Sequence, residues 1–198
     1  MQEAKYIPAA LGEDYKSYKK CMCRYLRRKV QGVEYYIKEC WKRLEINRCV
    51  KESFSVIGKE GSTNDGTDFI QRLWQNANSH FHEIEHLAKR DEKGNIGGIW
   101  GVMSDLSRNF EPWEDNFTKG LYLAGIEVQD EADAPEGWGK WTIPGHEYLC
   151  VKCTEGNVFS KVIAYMQENG LELAGAVHEF FCPQENGQEY MLFPVRRL

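Results

Sequence analysis

From about Phe54 to the C-terminus, the alternation of apolar and polar positions describes one unit written twice. Segments with a period of two read as strands, and segments with an apolar stripe of period 3.6 read as helices. In the first copy, Glu52–Gly58 leads to a helix from about 67 to 89. Its stripe is Ile70, Leu73, Trp74, Ala77, Phe81, Ile84 and Ala88. Strands at Ile99–Met103 and Leu121–Val128 follow. In the second copy, Lys140–Lys152 leads to a helix from about 158 to 169, then to Val177–Phe181 and Glu189–Val195. The predicted class is α+β: two βαββ repeats with pseudo-twofold symmetry, antiparallel sheets with helices on one side and a ligand cleft between the halves. A short helical N-terminal segment precedes them. Residues 1–49 form that segment and residues 50–198 the main domain.

The N-terminal segment reads as helical because Tyr15, Tyr18, Cys21, Met22, Tyr25 and Leu26 recur at helical spacing, with a break at Gly32. It also changes the charge picture. Residues 1–50 hold 12 Lys/Arg and 6 Asp/Glu, a net of +6, and the remainder holds 13 and 24, a net of -11. An acidic body repels phosphate backbones, so specific nucleic-acid binding by this chain alone is not expected. The basic segment reads either as the relic of a DNA-contacting part or as a solvated helical face. No apolar run reaches the roughly 20 residues of a membrane span, and no signal-peptide core is present. Seven cysteines in no dense framework suggest reduced thiols and a cytoplasmic protein.

Several motifs invite chemistry and then lose it. His82-Glu-Ile-Glu-His86 matches H-E-x-x-H, a zinc-protease pattern. On a continuous helix both histidines point away from the apolar stripe, so no metal is expected there. Cys150-Val-Lys-Cys153 is a C-x-x-C without a second knuckle, and positions three apart on a strand point to opposite faces. No phosphate-binding glycine loop or nucleophile elbow is found, and nothing implies a cofactor.

Aromatic residues are abundant where a core does not require them. Trp100, Trp113, Trp138, Trp141, Tyr122, Tyr148, Phe180 and Phe181 lie on strands or connecting loops. Each is a candidate for core packing and for the wall of a pocket that takes flat or cationic ligands. Glu179 interrupts the apolar strand Val177-His-Glu-Phe-Phe181. Either it shares the inward face with Val177 and Phe181, or the register is inverted and it lies in water.

With these residues in view, the chain resembles the GyrI-like effector-binding domains, the ligand modules of many AraC-type and MerR-type regulators. The matching features are Phe54–Gly58, Trp74, Ile99-Trp-Gly101, Tyr122 with Gly125–Val128, Trp141–Gly145, Glu179 and Phe193-Pro-Val195. The resemblance covers about residues 50–198 and implies a cleft between the halves. There a glutamate near the place of Glu179 meets the positive charge of bulky aromatic cations, which favours the inward register. The ligand-binding set expected on this reading is Glu179, Trp113, Trp141, Tyr148, Phe181, Tyr122 and Trp100. The function expected is a binding module for an aromatic, cationic, amphipathic small molecule, linked to transcriptional regulation or multidrug sensing. Some relatives hydrolyse strained rings of toxic natural products. The alternative is therefore a hydrolase in the same pocket, with Glu179 activating water and Tyr148 or Tyr190 donating a proton.

Overall fold

The computed structural model describes residues 44–154 and 156–198. The expected helices before residue 44 lie outside the described residues. Among the described residues, eight strands form one antiparallel sheet: β1 (Ile46–Lys51), β2 (Phe54–Ser62), β3 (Ile99–Ser104), β4 (Leu121–Val128), β5 (Gly139–Ile143), β6 (His146–Lys152), β7 (His178–Cys182) and β8 (Gln188–Arg197). Their order across the sheet is β1-β6-β8-β7-β3-β4-β2-β5. Exchanging β1–β4 for β5–β8 and reading from the other edge returns the same order. The expected pair of sheets is therefore one continuous sheet, joined where β3 meets β7 through Ile99–Phe181, Trp100–Phe180 and Gly101–Glu179.

Two further differences from the sequence reading have local causes. The segment 140–152 is two strands, because Pro144-Gly145 breaks it. Proline cannot donate to a ladder, and β5 pairs with β2 while β6 pairs with β1 and β8. β1 had no place in the repeat pattern; it straddles the expected division at 49/50 and is held to β6 across the sheet edge.

That edge also corrects the expectation of reduced thiols. Cys49 of β1 and Cys150 of β6, 101 positions apart, are joined by a disulfide. Cys153 and Cys182 are free thiols.

The long first helix is shorter than its stripe suggests. Helix α1 spans Phe69–Ser79, followed by 3-10 turns at Phe81–Glu83 and Glu85–Leu87. The cause lies in Asn76-Ala-Asn-Ser-His80. The Ser79 hydroxyl donates to the Asn76 carbonyl at 3.0 Å, and the His80 ring lies 3.0 Å from the same oxygen. Such local bonds compete with the helical ladder. The stripe still buries Ile84 and Ala88, but through turns. His82 and His86 are exposed, each in its own turn. Helix α2 spans Val158–Glu168, close to expectation.

Side chains alternate across the sheet, so paired residues share a face. On one face, α1 covers the β2–β4 half with Phe69, Trp74 and Ala77 against Ile57, Tyr122, Ala124 and Ile126. On the same face α2 covers the β6–β8 half with Val158, Phe159, Val162 and Met166 against Leu149, Val151, Met191 and Phe193. The β3–β7 pair runs between them. The opposite face has its own apolar cluster, with Phe54, Val56, Trp100, Val102, Leu123, Trp141, Ile143, Tyr148 and Leu192.

Candidate functional site

Glu179 rises from β7 on the helix-bearing face. It pairs with Gly101 on one side and Met191 on the other, and it shares that face with Phe181, two residues on. The side chain is partly buried. The Tyr122 hydroxyl donates to Glu179 Oε2 at 2.5 Å, and Trp74 Nε1 donates to the Tyr122 oxygen at 3.0 Å. A relay thus runs from α1 through β4 to β7. Trp74 meets Phe181 edge-to-face at 5.3 Å and Tyr122 at 6.5 Å. The inward register left open by the sequence is the one adopted.

Gly101 makes this arrangement possible. A Cβ at that position would lie 1.9 Å from the Tyr122 oxygen and 2.8 Å from Glu179 Oε2. The phenol therefore lies across a strand that has no side chain there.

Electrostatically the strip is acidic. Burial pushes the Glu179 carboxyl up to about 8, and the charge of Glu189 on β8 adds to the rise, while the Tyr122 hydrogen bond opposes it. The Tyr122 phenol is held well above its ordinary value by burial, then by Glu179. Cys153, just past β6, joins the cluster. Its thiol is pushed well up, by burial first and then by Glu189 and Glu179. Desolvation and neighbouring negative charge both disfavour a carboxylate. Among the described residues, no group of three or more His, Cys, Asp or Glu could hold a metal.

The sheet divides the residues singled out from the sequence. Glu179, Tyr122, Phe181 and Trp113 lie on the helix-bearing side. Trp113 packs on Phe69 at 6.4 Å and donates from Nε1 to the Leu121 carbonyl at 3.0 Å. Nearby, Phe117 meets Phe159 of α2 at 5.1 Å and touches both helix-side clusters.

Trp100, Trp141 and Tyr148 lie on the opposite face. Trp141 donates to Glu60 Oε2 at 2.8 Å and is covered by Phe110 and Arg108. Trp100 donates to the buried Glu127, which Lys51 and Lys89 also pair. Tyr148 lies beside His146 and His178. Tyr190 pairs with Phe180 and is also on the opposite face, hydrogen-bonded to Glu185. The acid–base couple of Glu179 with Tyr148 or Tyr190 is therefore not assembled, because a strand layer separates them.

Sequence reading gave Gly101, Glu189, Cys153 and Trp74 no role in the site. One signal was present. Glu189, Met191 and Phe193 share a face by the period of two, so Glu189 is as anomalous in its strand as Glu179.

No protein-family model matches the sequence, and no curated protein matches it. Solved structures do match in fold. SAV2435 bound to tetraphenylphosphonium superposes with a TM-score of 0.50 at 16% identity, over 77% of this chain and 94% of that one. The EcmrR C-terminal domain gives 0.53 at 12% identity, over 79% of this chain and 99% of that one. EcmrR in its DNA complex gives 0.56 at 12% identity, over 92% of this chain and 68% of that one. The chain has the α+β fold of the GyrI-like effector-binding domains. No helix among the described residues is long and apolar enough to cross a membrane.

Proposed function

We propose that this chain is an effector-binding module for a bulky aromatic cation, and that the ligand docks over the β3–β7 strip between α1 and α2. One observation carries the reading. Glu179 places a carboxyl group in aromatic surroundings, with no ion pair to any described residue. A carboxylate in low dielectric attracts a cation strongly, and aromatic edges and faces suit a flat or phenyl-bearing one. The fold likeness to SAV2435 supports this, since that structure was solved with tetraphenylphosphonium. The palindromic strand order supports a pseudo-twofold relation between the halves, with the strip at its seam. Leu73 and Phe117, partly exposed apolar residues beside the helices, are the flanks that a ligand would meet first. The likeness to EcmrR supports a link to transcriptional regulation.

Calorimetric titration with tetraphenylphosphonium and with triphenylphosphine oxide, a neutral analogue, tests the assignment. Glu179→Gln keeps the shape and removes the charge. It should weaken the phosphonium by about 2–5 kcal/mol, the usual cost of breaking a buried charge pair, and the neutral analogue far less. Equal losses for both ligands, or none for either, would remove Glu179 from the site.

A further inference from the structure

Glu179 Oε2 accepts from Tyr122, and Oε1 has no hydrogen bond among the described residues. Among the described residues, the groups that face this carboxyl group come from every element around it, and none is a cation. β4 contributes the neutral phenol of Tyr122, β8 the carboxyl of Glu189, and the chain just past β6 the protonated thiol of Cys153. α1 contributes only the Trp74 ring and β3 only the bare Gly101. α2 contributes no group to the electrostatics of Glu179. Glu179 and Glu189 are diagonal neighbours on one face of adjacent strands, a separation of about 7–8 Å between such positions. A second carboxylate at that range, in a partly buried strip, favours a neutral Glu179.

The geometry points to an exchange: Glu179 stands as a carboxylic acid in the empty site, and capture of an organic cation expels its proton. The O–H bond of Glu179 breaks, the proton passes to water, and the carboxylate left behind pairs with the ligand. No covalent bond to the ligand forms and no redox partner is needed. The inference rests on the reading that this strip holds a cation. It adds that the site responds to pH as well as to ligand. A neutral acid also explains how the strip tolerates two carboxyl groups while it waits for a cation.

The linkage fixes what should be seen. With Glu179 titrating at about 8, close to one proton should leave per ligand at pH 7, and few at pH 9 or above. The dissociation constant should rise about tenfold from pH 7 to pH 6, and on the order of a hundredfold from pH 9 to pH 6. The experiment is titration of the intact chain with tetraphenylphosphonium at pH 6, 7 and 9. Phosphate and Tris serve at each pH where they buffer, because their ionisation heats differ and count the protons released.

Wild type should show buffer-dependent heat at pH 7 and the stated pH dependence. Glu179→Gln should show neither. Glu189→Gln should bind the cation but release fewer protons at pH 7, because Glu179 then ionises more readily. Binding of the phosphonium with the same affinity from pH 6 to 9 and no buffer-dependent heat would overturn the exchange while leaving the cation site standing. Wild-type proton release that persists unchanged in Glu179→Gln would assign the proton elsewhere and overturn it too. Absence of phosphonium binding at every pH would take down both readings.

Discussion

The Tyr122 hydroxyl reaches Glu179 Oε2 at 2.5 Å across Gly101. Tyr122 is on β4 and Glu179 on β7, with the whole of β3 between them. The bond spans β3 because that strand has no side chain at the crossing point. The carboxyl group thus owes its position to three elements, and a change in any of them should register at the site.

Gly101→Ala should destabilise the protein by about 1–3 kcal/mol, the range for overpacking a filled site. The new methyl would overlap the Tyr122 oxygen. Chemical denaturation measures the loss. Tyr122→Ala in the same chain should return part of it, because the clash partner is gone. Additive losses in the double variant would show that the phenol does not occupy the space above Gly101.

Glu179 should make stability fall as pH rises. Its folded value, about 8, lies above the ordinary glutamate value of 4.5. The folded state therefore binds more protons than the unfolded one between these values, and stability declines across that window. Glu179→Gln should match wild type near pH 5 and exceed it at pH 8. The gain should reach about 1–3 kcal/mol, with each kcal/mol worth roughly 2–4 °C in Tm at this chain length. Thermal melts at the two pH values decide it; a variant less stable than wild type at pH 8 would contradict the burial of this carboxyl group.

His178 should act with the opposite sign. It is buried, its Nδ1 accepts from the Met103 backbone N–H at 3.2 Å, and burial lowers it to about 3, with His146 adding to the effect. The unfolded chain takes up a proton below about 6.5 that the folded one refuses. The stability held above that pH is therefore lost progressively as pH falls towards 3. His178→Gln keeps an acceptor for Met103. Its melting temperature should fall less steeply than wild type between pH 6 and 4.

Substitutions on the two sheet faces should separate stability from binding. Trp141→Ala removes a buried ring of the opposite face and should cost about 3–5 kcal/mol. The fraction that stays folded should keep its affinity for tetraphenylphosphonium. Phe181→Ala, beside Glu179, should cost a similar amount and also weaken the cation at least severalfold. Denaturation curves paired with calorimetry distinguish the two. A large affinity loss in folded Trp141→Ala would place the site on the other face.

The order of strands from β2 onward and of the helices was legible in the sequence because apolar periodicity follows burial: these strands and α2 lie within a few residues of the alternation that announced them, although β5 and β6 read as one segment and β1 was not announced. The oddity of Glu179 was legible too, since a carboxyl group in Val-His-Glu-Phe-Phe breaks a pattern that needs no partner to be noticed. Where the chain's stripe outran its helix, at Ile84 and Ala88, the pattern reported burial correctly and conformation wrongly, because 3-10 turns can bury the same side chains. The pairing of strands was not legible. Which face of the sheet an aromatic occupies depends on register with strands far along the chain. So Trp141 and Tyr148 looked like neighbours of Glu179 and lie on the other side. The bond of Cys49 to Cys150, the crossing of Tyr122 over Gly101 and the approach of Glu189 to Glu179 are also decisions of tertiary structure. Periodicity says which side chains leave water; only the closing of β3 against β7 says which of them meet.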